Sequence, residues 1–143
     1  MINPTCPYCS RRAVIVGGDL LYRGRTDLAH LNFWVCAPCQ ASVGCHKAGT
    51  WIEGADGRRI YSHGAHPLGT LANANLRALR SAAHTAIDWR WRGAADPRAA
   101  RKLIYQWLAR QMHLPVHDCH IGGFNEAQCL RAIRIGSHSA EPI

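Results

Sequence analysis

The spacing of apolar positions changes near residue 67 of this 143-residue chain. Before that point, short apolar runs separated by turn residues predict β-strands. The predicted strands are Ala13–Val16 and Leu20–Tyr22 around Gly17-Gly18-Asp19, then Asn32–Cys36, then two extended segments between Thr50 and Tyr61 that flank Asp56-Gly57.

Beyond residue 67 the apolar positions recur at helical spacing, which predicts three helices. We expect Thr70 to cap the first helix, whose apolar stripe runs from Leu71 to about Trp89. Asp96-Pro97 is expected to begin the second helix. An Asn125–Gln128 capping box is expected to begin the third helix, and Gly136 to end it. The predicted core faces carry Ala72, Leu76, Leu79, Ala83, Ala86 and Ile87 on the first helix, and Ala100, Leu103, Ile104, Trp107 and Leu108 on the second.

Four cysteines form two C-x-x-C pairs in the first third of the chain. They are Cys6, Cys9, Cys36 and Cys39. Two such turns can complete a tetrahedral shell for Zn²⁺. A redox dithiol is the other interpretation, but such a pair acts singly at the start of a helix, whereas these pairs bracket a predicted hairpin. Because four thiolates leave no open position on the metal, the predicted zinc is structural.

These features together predict an α+β protein. Residues 1–66 are expected to form an N-terminal Cys₄ zinc ribbon of short antiparallel strands with a β-hairpin extension. Residues 67–143 are expected to form a C-terminal three-helix part that packs with the ribbon and shares its core.

The net charge is +8, and arginine supplies all but two of the seventeen basic residues. Arginine binds phosphate bidentately and stacks on bases, so the surplus favours nucleic acid or another polyanion as partner. An arginine-rich genomic composition explains the surplus equally well.

Seven cysteines, an odd number, suit metal ligands and buried thiols in a reducing compartment. No apolar run approaches bilayer length, and no signal-peptide pattern opens the chain. We therefore expect no membrane association and a cytoplasmic location, in a bacterial or infected host cell.

The first predicted helix carries a polar stripe opposite its core face, formed by Arg77, Arg80, His84 and Asp88. His84 and Asp88 stand four residues apart, so the carboxylate could orient the imidazole as a general base. The two arginines could hold a phosphate. A solvated helix face with ordinary ion pairs is the alternative interpretation.

The second predicted helix carries Arg98, Arg101, Lys102 and Tyr105 on its outer face, close in sequence to Trp89-Arg90-Trp91-Arg92. Interleaved aromatic rings and guanidinium groups suit single-stranded nucleic acid, in which bases stack on rings and arginines meet phosphates. Trp89 and Trp107 are interpreted as core residues.

Two further groups could hold a second metal ion. One is Cys45 with His46; the other is drawn from His113, His117, Cys119, His120 and Cys129. Cys45 or His46 could also replace a ligand of the first site, and Cys119 or Cys129 could act with a histidine in catalysis. Local packing is the alternative for both groups, and the second group matches no established ligand spacing.

Several motifs occur in a characteristic order. They are C-P-Y-C, L-Y-x-x-x-x-D-L and F-W-V-C-A-P-C-Q-A-S-V-G-C-H between Cys6 and His46, P-L-G-T-L-A-N-A-N-L-R-A-L-R-S-A-A-H-T-A-I-D from Pro67 to Asp88, Y-Q-W-L-A from Tyr105, and H-I-G-G-F-x-x-x-x-C from His120 to Cys129. The chain thereby resembles small phage and prophage proteins that carry a zinc-finger-containing domain of unknown function. The resemblance implies that the four paired cysteines are zinc ligands. It implies no catalytic role, and it favours work on nucleic acid or against a host defence.

Three functional hypotheses follow. The first is a zinc-stabilised, phage-type accessory protein that binds nucleic acid or a host nucleoprotein through Arg77, Arg80, Arg98, Arg101 and Lys102. The second is a phosphodiester hydrolase that uses His84 and Asp88 with Arg77 and Arg80. The third is an inhibitor of a host defence complex that acts by protein–protein contact.

Overall fold

The computed structural model describes residues 3–53 and 56–138. The chain forms two compact units, residues 1–74 and 75–143. Antiparallel strands in the first unit and helices in the second confirm the α+β class. Residues 54 and 55 of the predicted hairpin extension, and residues 139–143, lie outside the described residues.

The first unit contains a three-stranded antiparallel sheet in the order β1-β2-β3. Its strands are β1 (Val14–Gly17), β2 (Asn32–Cys36) and β3 (Ala41–Gly44). The strands β4 (Trp51–Glu53) and β5 (Arg59–Tyr61) form a separate two-stranded antiparallel sheet. β1, β2 and the β4–β5 hairpin confirm the sequence pattern, whereas β3, which directly follows the second cysteine pair, was not predicted.

The predicted strand over Leu20–Tyr22 is wrong. Residues Gly18–Leu21 form one helical turn, α1, in which Gly18 is buried. The Gly18 amide donates to the carbonyl of Leu31 at 2.7 Å, and a Cβ at Gly18 would collide with the carbonyl of Leu28. Gly18 therefore allows two backbone segments to approach closely and does not form a hairpin turn.

Residues 67–72 run alongside β3. The Leu68 amide donates to the Gly44 carbonyl at 2.8 Å, and Ala72 and Ser42 exchange two backbone hydrogen bonds at 3.0 Å. Leu71 is buried with Trp34 in the core of this unit. The first compact unit therefore includes these residues, which the sequence pattern assigns to the helical part.

The second unit contains the three predicted helices, α2 (Ala74–Arg92), α3 (Pro97–Met112) and α4 (Glu126–His138). Short 3₁₀ turns at Val116–Asp118 and Ile121–Gly123 precede α4. No helix in the described part of the chain combines the length and apolar character needed to cross a bilayer.

The helix boundaries follow the predicted capping chemistry in two of three cases. Asp96 Oδ1 accepts from the amide of Ala99 at 3.2 Å. The side chains of Asn125 and Gln128 each accept from the other's amide, at 2.9 and 3.0 Å, which confirms the capping box. Thr70 does not cap α2, because the helix begins only at Ala74.

Gly136 does not end the last helix, which continues to His138. A Cβ at position 136 would lie 2.6 Å from the carbonyl oxygen of Ala86. The residue thus permits close packing of α4 on α2, and the prediction of a helix stop is wrong.

The buried faces of α2 and α3 differ from the predicted ones. Leu76, Ala83, Ile87, Ile104, Trp107 and Leu108 are buried as expected. Arg80, Asp88 and Tyr105, predicted on outer faces, are also buried, whereas Leu103 and Trp89, predicted in the core, are 63% and 55% exposed. The prediction that every polar position faces solvent is wrong for Arg80, Asp88 and Tyr105, because these side chains have hydrogen-bond partners inside the fold.

Candidate metal centre and cationic surface

The four paired cysteines converge in the first unit. The Sγ atoms of Cys6, Cys9, Cys36 and Cys39 all lie within 4.8 Å of one another, and those of Cys9 and Cys36 are 3.6 Å apart. A tetrahedral ion with Zn–S bonds of about 2.3 Å requires sulfur separations of about 3.8 Å. The donor set and its spacing fit Zn²⁺, and four thiolates make this a structural zinc site.

The sheet positions the two cysteine turns. Val14 of β1 pairs with Val35 of β2, so the start of β1 and the end of β2 lie at the same end of the sheet. Cys36 ends β2, and the first cysteine turn precedes β1. Antiparallel pairing therefore brings together two pairs that lie far apart in sequence.

Each cysteine turn ends on a residue in the left-handed backbone region. Ser10 has φ 65° and Gln40 has φ 51°, and each directly follows the second cysteine of its pair. The Ser10 amide donates to the Cys6 carbonyl at 2.9 Å, and the Gln40 amide donates to the Ala37 carbonyl at 3.1 Å. These bonds close the turns that aim both sulfurs of a pair at one point.

The surroundings of the cluster shift the pKa values of its thiols in opposite directions. A hydrogen bond from the backbone at Arg11 lowers the pKa of Cys9 to about 7. The pKa of Cys39 is raised to about 12, first by its hydrogen bond with Cys9 and then by burial. Cys9 therefore ionises more readily than Cys39, and a bound divalent cation deprotonates coordinating thiols outright.

The described residues hold no second cluster of this kind. Neither the pair Cys45 and His46 nor the set His113, His117, Cys119, His120 and Cys129 contributes to a cluster of three or more potential ligand atoms. Cys45, Cys119 and Cys129 are buried, and burial raises the pKa of each thiol, to about 11 for Cys119. They are protonated core residues at neutral pH, as the packing interpretation requires.

In the second unit, Asp88 is the centre of a hydrogen-bond network. Its Oδ1 accepts from the Tyr105 hydroxyl at 2.8 Å and from Trp91 Nε1 at 2.9 Å. Its Oδ2 lies 2.8 Å from His84 Nδ1 and 3.7 Å from Arg92 Nη2. Burial alone raises the pKa of Asp88, but the hydrogen bonds from Trp91, Tyr105 and His84 outweigh it, and the pKa is lowered overall.

His84 is the accessible member of this network, with a side chain 44% exposed. Its Nδ1 lies 2.8 Å from Oδ2 of Asp88, a contact that orients the ring. The predicted pairing of His84 with Asp88 is thus present. Asp88 itself is only 4% exposed, so its placement on a solvent-facing stripe is wrong.

Arg80 also lies inside the unit. It is 9% exposed, and its Nε donates to the carbonyl of Phe124 at 3.0 Å. Arg80 therefore joins α2 to the segment before α4 and is not available to bind a phosphate from solution. Arg77, one turn earlier, is exposed.

The remaining predicted cations, Arg98, Arg101 and Lys102, are exposed on α3. Within residues 3–53 and 56–138, no carboxylate pairs with any of the three. Arg101 lies 4.7 Å from the ring centroid of Tyr105 and 5.8 Å from that of Trp91. We call Arg92, Arg98, Arg101 and Lys102 the cationic surface. The guanidinium of Arg92, like that of Arg101, lies over the Trp91 ring, 5.6 Å from its centroid.

Arg90, which belongs to the Trp89-Arg90-Trp91-Arg92 run noted in the sequence, also lies against aromatic rings. The Arg90 guanidinium lies 4.7 Å from the Trp89 ring and 4.9 Å from the Trp107 ring, and its Nη2 donates to the Gly136 carbonyl at 3.0 Å. The alternating Trp-Arg-Trp-Arg run is the signal that pointed to such stacking.

Comparison with curated proteins gives no match, and comparison with solved structures gives none either. A family model described as a zinc-finger-containing domain matches residues 2–139. The match spans both the four-cysteine centre and the helices that carry the cationic surface. On this match and on the geometry of the cysteine cluster, the chain belongs to the family of zinc-finger-containing domains.

Proposed function

We propose that the protein is a zinc-stabilised, phage-type accessory factor that binds nucleic acid, free or within a host nucleoprotein, through the cationic surface. The observation that carries the proposal is that the guanidinium groups of Arg101 and Arg92 both lie over the Trp91 ring, on a surface that also carries the exposed Arg98 and Lys102. A guanidinium next to an aromatic ring still has N–H groups that can donate to phosphate oxygens.

The charge of the second unit supports this proposal. Residues 75–138 contain ten Lys and Arg against four Asp and Glu, so this unit carries most of the net charge of the chain. Arg98 lies in the first turn of α3, where the helix dipole disfavours cations, and Arg101 and Lys102 follow in the second turn. None of the three has a carboxylate partner among the described residues, so an anionic ligand accounts for their clustering better than helix stability does.

The zinc site serves this function only indirectly, because its four thiolates leave no position for a ligand. Seven cysteines without a disulfide fit a reducing, cytoplasmic compartment, which is part of the proposal.

Fluorescence anisotropy with labelled DNA and RNA over a range of salt concentrations tests the proposal. We expect the affinity to fall steeply with salt, because each neutralised phosphate releases counterions. The combined Arg98→Ala, Arg101→Ala and Lys102→Ala variant should flatten the slope of log K against log salt by about 2. Arg25→Ala, which removes an exposed cation paired with Asp27 in the first unit, is the control and should leave the slope nearly unchanged. Binding that does not depend on salt, or no binding, contradicts the proposal.

A second function, hydrolysis of a phosphodiester, is favoured by one observation, the 2.8 Å contact between His84 Nδ1 and Asp88 Oδ2. It would use His84 as the base and Asp88 to orient it, with Arg77 and the nearby Arg92 near the phosphate. Incubation with DNA, RNA and cyclic dinucleotides, with and without Mg²⁺, tests it. His84→Ala should lower any turnover by about 10²-fold or more. The control is His117→Ala, from an exposed His–Asp pair with a separation of 3.5 Å. Equal turnover by His84→Ala and the parent rejects this mechanism.

A third proposal, inhibition of a host defence complex by direct protein contact, needs no nucleic acid. It predicts a stoichiometric protein partner whose capture survives nuclease treatment. Loss of every partner after nuclease treatment argues against it and for the nucleoprotein.

A further inference from the structure

The hairpin of β4 and β5 carries a row of exposed aromatic rings. Trp51 pairs with Tyr61 in the antiparallel register, so both side chains lie on one face of the hairpin. Their rings meet edge to face with centroids 5.1 Å apart, and Tyr61 meets the ring of His63 in the same way at 5.2 Å. We call Trp51, Tyr61 and His63 the aromatic row.

This row is not covered by the unit that carries it. Trp51 is 58% exposed and Tyr61 is 43% exposed. The guanidinium of Arg59 lies 5.2 Å from the centre of the Trp51 ring, and Glu53, the register partner of Arg59, shares the same face. A large indole held in water next to a cation presents a flat apolar surface suited to stacking.

A cleft of about 180 Å³ lies next to the base of the hairpin. It is lined by His30, Leu31, Asn32, His46, Lys47, Ala48 and Gly64, none of which is acidic. Burial and the neighbouring His66 lower the pKa of His46. Lys47 is the one Lys or Arg among the lining residues.

The aromatic row leads directly to this cleft. His63, the last ring of the row, is followed by Gly64 in the cleft wall. On the opposite side, Gly49 and Thr50 are hydrogen-bonded to Ser62 at 2.8 Å, which ties the base of the hairpin to the segment containing Lys47 and Ala48. A flat aromatic surface therefore adjoins a polar pocket that carries one cation.

From this juxtaposition we propose that the hairpin and the cleft bind single-stranded nucleic acid, with unpaired bases on the aromatic row and a backbone phosphate at Lys47. This inference rests on the proposed nucleic-acid function and adds a binding site in the first unit. Single strands are specified because only unpaired bases offer free faces to a ring, whereas bases in a duplex are already stacked.

Anisotropy titrations with short fluorescent oligo(dT), oligo(U) and a duplex of equal length test the inference. We expect the parent to prefer the single strands. Trp51→Ala should weaken that binding roughly fivefold or more, the effect of losing one stacked base. Trp51→Phe keeps a ring and should stay within about twofold of the parent. The difference between oligo(dT) and oligo(U) shows whether DNA or RNA is the ligand.

Leu20→Ala removes an equally exposed apolar side chain in the same unit and is the matched control. If Trp51→Ala binds like the parent while the cationic-surface variant is weakened, the hairpin site is wrong and the proposed function stands. If only Trp51→Ala is weakened, the hairpin site stands and the cationic surface is wrong. Preference for the duplex, or no binding by the parent, overturns the inference.

Discussion

The hydroxyl of Tyr105 on α3 donates a 2.8 Å hydrogen bond to Oδ1 of Asp88 on α2, and both side chains are buried. The Trp91 indole donates to the same carboxylate oxygen. A carboxylate that would be costly to bury alone is thereby held by donors from two helices. Asp88 therefore links α2 and α3 and, in the same geometry, orients His84.

Tyr105→Phe should lower the free energy of unfolding by about 1.5–3 kcal/mol, because it removes a hydrogen bond to a buried charge. Chemical denaturation of the zinc-loaded protein measures the change. Tyr61→Phe, an exposed tyrosine with no recorded hydrogen bond from its hydroxyl in the described residues, should change it by less than about 0.5 kcal/mol. Equal effects of the two substitutions would mean that the Tyr105 hydrogen bond does not stabilise the fold.

The stability that Asp88 supplies should depend on pH. Its pKa is lower in the folded protein than the ordinary value of about 3.9, so the folded state binds a proton less readily than the unfolded state. The contribution is fully present above about pH 4 and is lost as the pH falls through the folded pKa. The difference in free energy of unfolding between the parent and Asp88→Asn should accordingly become smaller below about pH 4. Since both proteins carry the same zinc site, loss of zinc in acid affects both and cancels in the difference. A gap independent of pH would contradict the assignment.

Removing zinc should unfold the first unit. Structural zinc in small domains supplies about 10–16 kcal/mol of apparent binding free energy. Cys36→Ser should abolish stoichiometric zinc binding, measured by elemental analysis, and lose the ordered signal of the buried Trp34. Cys45→Ser changes a buried thiol outside the cluster and should retain one zinc ion per chain. Loss of zinc from Cys45→Ser would place that residue among the ligands.

Ser10 offers a stabilising substitution. It is exposed, and its φ of 65° costs an L-residue roughly 1 kcal/mol relative to glycine. After allowance for the larger unfolded-state entropy of glycine, Ser10→Gly should raise the stability of the zinc-loaded protein by up to about 0.6 kcal/mol. Ser10→Val, which is β-branched, should lower it. Thermal unfolding measures the stability of the parent, Ser10→Gly and Ser10→Val. A Ser10→Val protein more stable than Ser10→Gly would contradict a left-handed backbone at Ser10.

Several local signals in the sequence predicted local structure correctly, although the predicted Thr70 cap and the predicted strand over Leu20–Tyr22 are wrong. The spacing of the paired cysteines anticipated the zinc centre, and Asp96 and the Asn125–Gln128 capping box marked the starts of α3 and α4. These features depend on a few adjacent residues, so no distant partner is needed to recognise them. The glycines were misinterpreted because Gly18 and Gly136 meet backbone that is distant in sequence, at Leu28 and Ala86.

The sequence by itself determined the zinc ligands, the α+β class and the cationic composition, because each depends on residue type and spacing alone. Tertiary structure decided which polar side chains face water. Arg80 and Asp88 lie inside because a carbonyl before α4 and donors on α2 and α3 satisfy them, while Trp51 and Tyr61 stay outside on a hairpin too small to bury them. Whether a polar side chain is buried depends on hydrogen-bond partners from distant elements, and the periodicity of one helix does not identify those partners.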